Sequence, residues 1–132
     1  MEDNQKYTMK IELEVHYDDQ FLEDIIVTAL EGGSNYWIDY IKGFKNEKPK
    51  DIPTSIWVFN ELKNGKMITI CMENDQRVFL TMRKLQYGVK KYFSDTSNLI
   101  DGLTLTLDAG DYDANMADCV LQYAVFNELI YG

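Results

Sequence analysis

Asp111, Asp113 and Asn115 occupy the first, third and fifth places of a calcium-loop pattern, where oxygen donors at that spacing converge on one cation. The pattern ends there. Its sixth place is Met116, where the sharp turn needs glycine, and its twelfth is Gln122 in place of a bidentate glutamate. Stripped of turn and strongest ligand, these residues read as a helix start, where aspartate meets the positive end of the helix dipole. No metal is expected here, although Asp111, Asp113 and Asp118 are the set a metal-assisted hydrolase would use. The one histidine, His16, falls on the polar side of an alternating segment, without a Gly-x-Ser-x-Gly motif or a cysteine beside it. Cys71 and Cys119 are far apart and lack paired spacing, so they read as small core residues and not as zinc ligands, a disulfide or nucleophiles. Neither a catalytic residue nor a cofactor is expected.

Binding surfaces have more to offer. Tyr36 and Trp37 follow the Gly32-Gly33 pair directly, and amphipathic rings of this kind dominate contact surfaces. Asp24, Thr28 and Glu31 form one polar stripe at i, i+4 and i+7, and Asn115, Asp118 and Gln122 form another. The turn from Glu31 to Asn35 has free backbone N–H groups, but it follows a helix carboxyl end, the wrong pole for an anion. The candidate binding residues are therefore Tyr36, Trp37, Glu31, Asp111, Asp113, Asp118 and Gln122.

These groups must be positioned by regular elements. From Tyr7 to Tyr17, Met9, Ile11, Leu13 and Val15 alternate with Lys10, Glu12, Glu14 and His16, the period of a strand with one wet face. Asp18 or Asp19 can cap a helix carrying Phe21, Leu22, Ile25, Ile26, Ala29 and Leu30, which Gly32 and Gly33 end by taking left-handed backbone. Tyr36 to Ile41 reads as a second strand, and Gly43 to Pro53 as a lysine-rich loop. Ser55 to Leu62 and Lys66 to Met72 flank Asn64-Gly65, a hairpin signal that predicts strands three and four. A turn at Glu73 to Gln76 leads to a short strand from Arg77 to Leu80. Thr81 then caps a helix carrying Leu85, Val89, Tyr92 and Phe93, in which Gly88 costs about 1 kcal/mol relative to alanine. Residues 95–112 read as irregular. From about Asp113 a last helix places Ala117, Val120, Leu121, Ala124, Val125 and Leu129 on its buried stripe and ends near Gly132. The order predicts one α+β domain over residues 1–132, a mainly antiparallel sheet of about five strands with three helices packed on one face.

Net charge is −9 and divides unevenly: residues 1–40 sum to −8, 41–94 to +6 and 95–132 to −7. The overall balance disfavours general nucleic-acid binding and anionic membranes, which depend on Lys and Arg meeting phosphate, and favours a basic partner surface. A local basic face built from Lys42, Lys45, Lys48, Lys50, Arg83, Lys84, Lys90 and Lys91 is the minor alternative to charges that offset one another. No apolar run approaches the ~20 residues that span a bilayer, and the amino terminus lacks the order of a signal peptide. The cytoplasm is the expected compartment.

Ile25-Ile26-Val27-Thr28-Ala29-Leu30-Glu31-Gly32-Gly33 followed by Tyr36-Trp37, then Leu80-Thr81 with Leu85 and Gly88, form the first two parts of a pattern. Ala117-Asp118 with Gln122, Phe126, Glu128 and Gly132 completes it. The pattern resembles small uncharacterised proteins encoded by bacteriophages and mobile elements. Asn127 departs from it, standing where such proteins are expected to have glycine. The resemblance implies an accessory protein acting inside an infected or lysogenic bacterium and supplies no catalytic residue. With the charge layout, it suggests a non-enzymatic protein whose acidic ends compete for a basic surface on a host protein. The alternative is a small-ligand module, in which a homo-oligomer places Tyr36, Trp37 and the basic middle segment around a nucleotide or other anion.

Overall fold

The computed structural model of the chain describes residues 4–9, 14–43, 45–94, 104–106 (as backbone) and 113–132. Asp18 opens the first helix: its carboxylate accepts a hydrogen bond from Phe21 N at 3.0 Å, and α1 (Asp19–Thr28) buries Phe21, Leu22, Ile25 and Ile26. The helix does not stop on a left-handed glycine. It widens into a π-helical turn, Ala29–Gly33, in which neither Gly32 nor Gly33 has a positive φ. Gly33 answers to a different need, because a Cβ there would stand 2.6 Å from the backbone oxygen of Ala114. Its bare Cα lets the turn touch the start of the last helix.

Residues 55–62 form a helix and not the predicted strand. α2 (Thr54–Lys63) follows Pro53 and buries Ser55, Trp57, Val58, Phe59 and Leu62. Asn64-Gly65 ends this helix instead of turning a hairpin. Gly65 has φ 77°, its N–H donates to Leu62 O at 3.0 Å, and Lys66 N–H donates to Glu61 O at 3.0 Å. That pair of bonds is the Schellman closure of a helix end. Tyr36 and Trp37 lie in a turn, and β2 begins only at Tyr40. β2 (Tyr40–Gly43), β3 (Ile68–Cys71) and β4 (Arg77–Leu80) make an antiparallel sheet in that order. Its inner residues Ile41, Ile68, Ile70, Val78 and Leu80 join the core, and α2 and α4 lie against it.

β1 (Glu14–His16) stands apart from this sheet and pairs in parallel with β5 (Thr104–Thr106), so the predicted single sheet is two, and one strand falls within the stretch read as irregular. Tyr7 and Met9 are exposed and outside any strand, while Ile11 and Leu13 lie outside the described residues. α3 (Met82–Ser94) is capped by Thr81, whose Oγ1 accepts from Lys84 N at 3.2 Å, and packs along α4 (Ala114–Phe126). Gly88 sits where they cross: a Cβ there would lie 2.3 Å from Val120 O. α4 stops at Phe126, six residues short of Gly132, and Leu129 beyond it is exposed. The stop is Asn127 at φ 64°, a left-handed position that glycine or asparagine fills best. Among the described residues the chain is thus α+β with four α-helices, a three-stranded antiparallel sheet and a separate strand pair.

Candidate functional site

Tyr36 and Trp37 meet Asp118 and Gln122, more than 80 residues further along the sequence, at one place. The π-helical turn delivers Ser34, Tyr36 and Trp37 to the side of α4, where Asp118 and Gln122 lie one turn apart. Asp118 is buried, and each of its oxygens accepts two hydrogen bonds. Oδ1 accepts from Ser34 Oγ at 2.8 Å and from Trp37 Nε1 at 2.8 Å. Oδ2 accepts from Tyr36 OH at 2.6 Å and from Gln122 Nε2 at 3.1 Å. A carboxylate offers about four lone-pair directions, and all are taken. The group therefore has no vacant acceptor with which to hold a cation or receive a proton from a substrate.

Gln122 carries the network onward. Its Oε1 accepts from the backbone N–H groups of Ile130 and Tyr131, both at 2.9 Å, and Nε2 also reaches Tyr36 OH and Tyr131 O at 3.2 Å. Two backbone donors facing one atom fix which end of the amide is oxygen. The segment after α4 is thereby folded back, and the Tyr131 ring stacks on Trp37 at 5.5 Å with an interplanar angle of 2°. Phe126 completes a three-ring cluster, 5.3 Å from Trp37 and 5.8 Å from Tyr131. No buried side-chain polar atom among the described residues lacks a partner. Networks satisfied to this degree rigidify what they join.

Two clefts flank Tyr36 and Tyr131. The larger, about 500 Å³, is lined by Tyr36, Tyr92, Asn115, Cys119, Tyr123 and the segment Leu129 to Gly132, with Asp118 and Gln122 at its floor. The smaller, about 290 Å³, adds Asn35, Asp39, Met72, Glu73 and Gln76. No lysine or arginine is among the described residues lining either. The Tyr36 phenol is pushed up to about 12, first by burial and then by its hydrogen bond to the Asp118 carboxylate. Burial, then the charges of Asp118 and Asp113, push the Cys119 thiol up as well, which keeps it protonated and a poor nucleophile.

The other candidates are engaged elsewhere. Glu31 is exposed and accepts from Ser55 Oγ at 2.8 Å, tying the π-helical turn to the first turn of α2. Asp113 is the N-cap of α4, accepting from Met116 N at 2.7 Å. Asp111 lies outside the described residues. Among the described residues no three His, Cys, Asp or Glu side chains are grouped to hold a metal ion, and no helix is long and apolar enough to cross a membrane. Two members of the site were missed from the sequence. Ser34 belongs to the turn considered for an anion, and the anion it meets is the chain's own carboxylate; Tyr131 follows the last helix and carries no periodic signal. Compared with known proteins, the chain matches no family model, no curated protein and no solved structure.

Proposed function

We propose that the chain is a non-enzymatic binding protein whose Tyr36 face engages a basic surface on a partner protein. The observation that carries this reading is the pair of clefts around Tyr36 and Tyr131, lined among the described residues by rings and carboxylates and by no cation. Half-exposed aromatic rings held in place by a satisfied network are the anchors that protein interfaces use most. Tyr36, Leu129 and Ile130 are each about half exposed and stand beside the rigid floor made by Asp118 and Gln122. The carboxylate acts here as a positioning group, since its lone pairs are spent within the fold. The resemblance to phage and mobile-element proteins makes a bacterial host protein in the cytoplasm the expected partner.

Native mass spectrometry of the chain, purified gently from bacterial cells that express it, tests the reading. A retained basic protein, released by added salt and lost in the Leu129→Lys, Ile130→Lys double variant, is the expected result. A complex indifferent to both salt and the two lysines overturns it. A retained small molecule in place of a protein turns the same face into a ligand site.

A further inference from the structure

The face of the three-stranded sheet turned away from the core carries a different chemistry. Register places Tyr40, Cys71 and Arg77 in one row across the strands, and Lys42, Thr69 and Phe79 in the next. The four outer residues, Tyr40, Lys42, Arg77 and Phe79, are exposed, while Thr69 and Cys71 between them are buried. Each row therefore pairs one ring with one cation, in opposite order. At strand spacings of about 4.8 Å and a rise of about 3.4 Å per residue, the corners span roughly 10 by 7 Å. Tyr40 stands directly opposite Cys71 in the register, and the nearby Cys71 thiol is the first cause that pushes its phenol pKa up. A third cation, Lys84, is fixed at the β4 edge by donating to Phe79 O at 3.0 Å. Asp75 is the acid whose charge is felt at Tyr40, where it opposes Arg77. None of the four corner residues lines the Tyr36 clefts.

We infer that this face is a docking platform for single-stranded nucleic acid. Rings lying on a flat sheet stack unpaired bases, and cations at the alternate corners meet the phosphates that join them. A duplex keeps its bases stacked on one another and gains nothing from the rings. An acidic peptide gains from the cations alone. Three of its corners, Lys42, Arg77 and Phe79, lie in the segment that carries +6 of charge, while the acidic remainder of the chain weakens the overall attraction. Binding is therefore local, modest and strongest at low salt, which agrees with an overall composition that disfavours general nucleic-acid affinity.

Fluorescence anisotropy of a labelled oligo(dT) with the full chain is the test. Binding at low salt is expected to weaken with a log–log salt slope of about −2, at about 0.7 for each phosphate met by Lys42, Arg77 and Lys84. Tyr40→Ala and Phe79→Ala should each weaken binding about tenfold, and Lys42→Glu with Arg77→Glu should flatten the slope. Tyr40→Leu and Phe79→Leu keep the bulk and lose the ring, so they serve where an alanine variant melts early. No anisotropy change, polyglutamate that competes as well as unlabelled oligo(dT), or leucine variants that bind like the wild type would each overturn the inference. Leu129→Lys with Ile130→Lys lies outside this face and separates its failure from that of the Tyr36 reading.

Discussion

Trp37 Nε1 and Gln122 Nε2 can only donate, and they donate to different oxygens of Asp118. Asp118→Asn therefore places an amide NH2 against one of them whichever way the new side chain is turned. An unpaired buried donor costs about 1–3 kcal/mol, so the variant's urea midpoint should fall at unchanged slope. An unchanged midpoint would mean that the carboxylate is not what holds the turn to α4. Tyr36 makes a second prediction. Its raised pKa means that the fold favours the protonated phenol, a contribution complete below pH 10 and lost as the pH climbs from 10 towards 12. Subtracting the phenolate absorbance titration of Tyr36→Phe from that of the wild type should leave a step near pH 12, and a step at 10 would show the hydrogen bond to be absent. The site was half legible at this scale. The i, i+4 spacing of Asp118 and Gln122 was visible, but it reads as a solvated helix stripe unless the turn that buries it is known. Ser34, a hydrogen-bond partner of Asp118 from that turn, is 84 residues away.

Gly88 shows how an element can contradict its own propensity. Alanine is better than glycine in a helix by about 1 kcal/mol, yet a Cβ at this position would lie 2.3 Å from Val120 O and 3.1 Å from the Ala124 side chain. Overpacking of backbone costs typically 1–3 kcal/mol, so Gly88→Ala should destabilise by up to about 2 kcal/mol in urea, against the propensity rule. A stabilised variant would show that α3 and α4 part freely. Asn127 is the reverse case: glycine tolerates its left-handed backbone, whereas Asn127→Ala should cost about 1–2 kcal/mol. Element existence was legible wherever a cap and a stripe agreed, as at Asp18, Thr81 and Asp113. It failed at α2, because Ile56-Trp57-Val58-Phe59 is too short an apolar run to declare its period, and Asn-Gly serves a helix end as well as a hairpin. Lacking Gly65's partners, no local rule decides between them. The split of the sheet was equally hidden, since β1 finds its partner in β5, about 90 residues on, by a pairing that alternation alone does not specify.

At the scale of the whole molecule the charge layout, readable without any structure, acquires a consequence from the packing. The acid-rich first 40 residues and the acid-rich last 38 are not kept apart: α1 and the π-helical turn both pack on α4. Few attractive pairs offset this among the described residues. Lys63–Asp19 is exposed, Lys66–Glu61 is bridged at 3.6 Å, and Glu14 meets only His16. Exposed pairs such as Lys63–Asp19 contribute about 0–1 kcal/mol each, so like-charge repulsion between the packed ends is expected to outweigh them. Salt screens repulsion and attraction alike, shortening their reach to about 8 Å at physiological ionic strength and about 3 Å at 1 M. The sign of the net effect therefore reports which dominates. Melting followed by circular dichroism should show the midpoint rising with added sodium chloride, and rising less in Asp24→Asn with Glu23→Gln, which relieves the repulsion without touching the core. A midpoint that falls with salt would mean that ion pairs hold the ends together. It would also remove the premise that those acids remain available to a basic partner, because carboxylates already paired within the chain have little attraction left to offer.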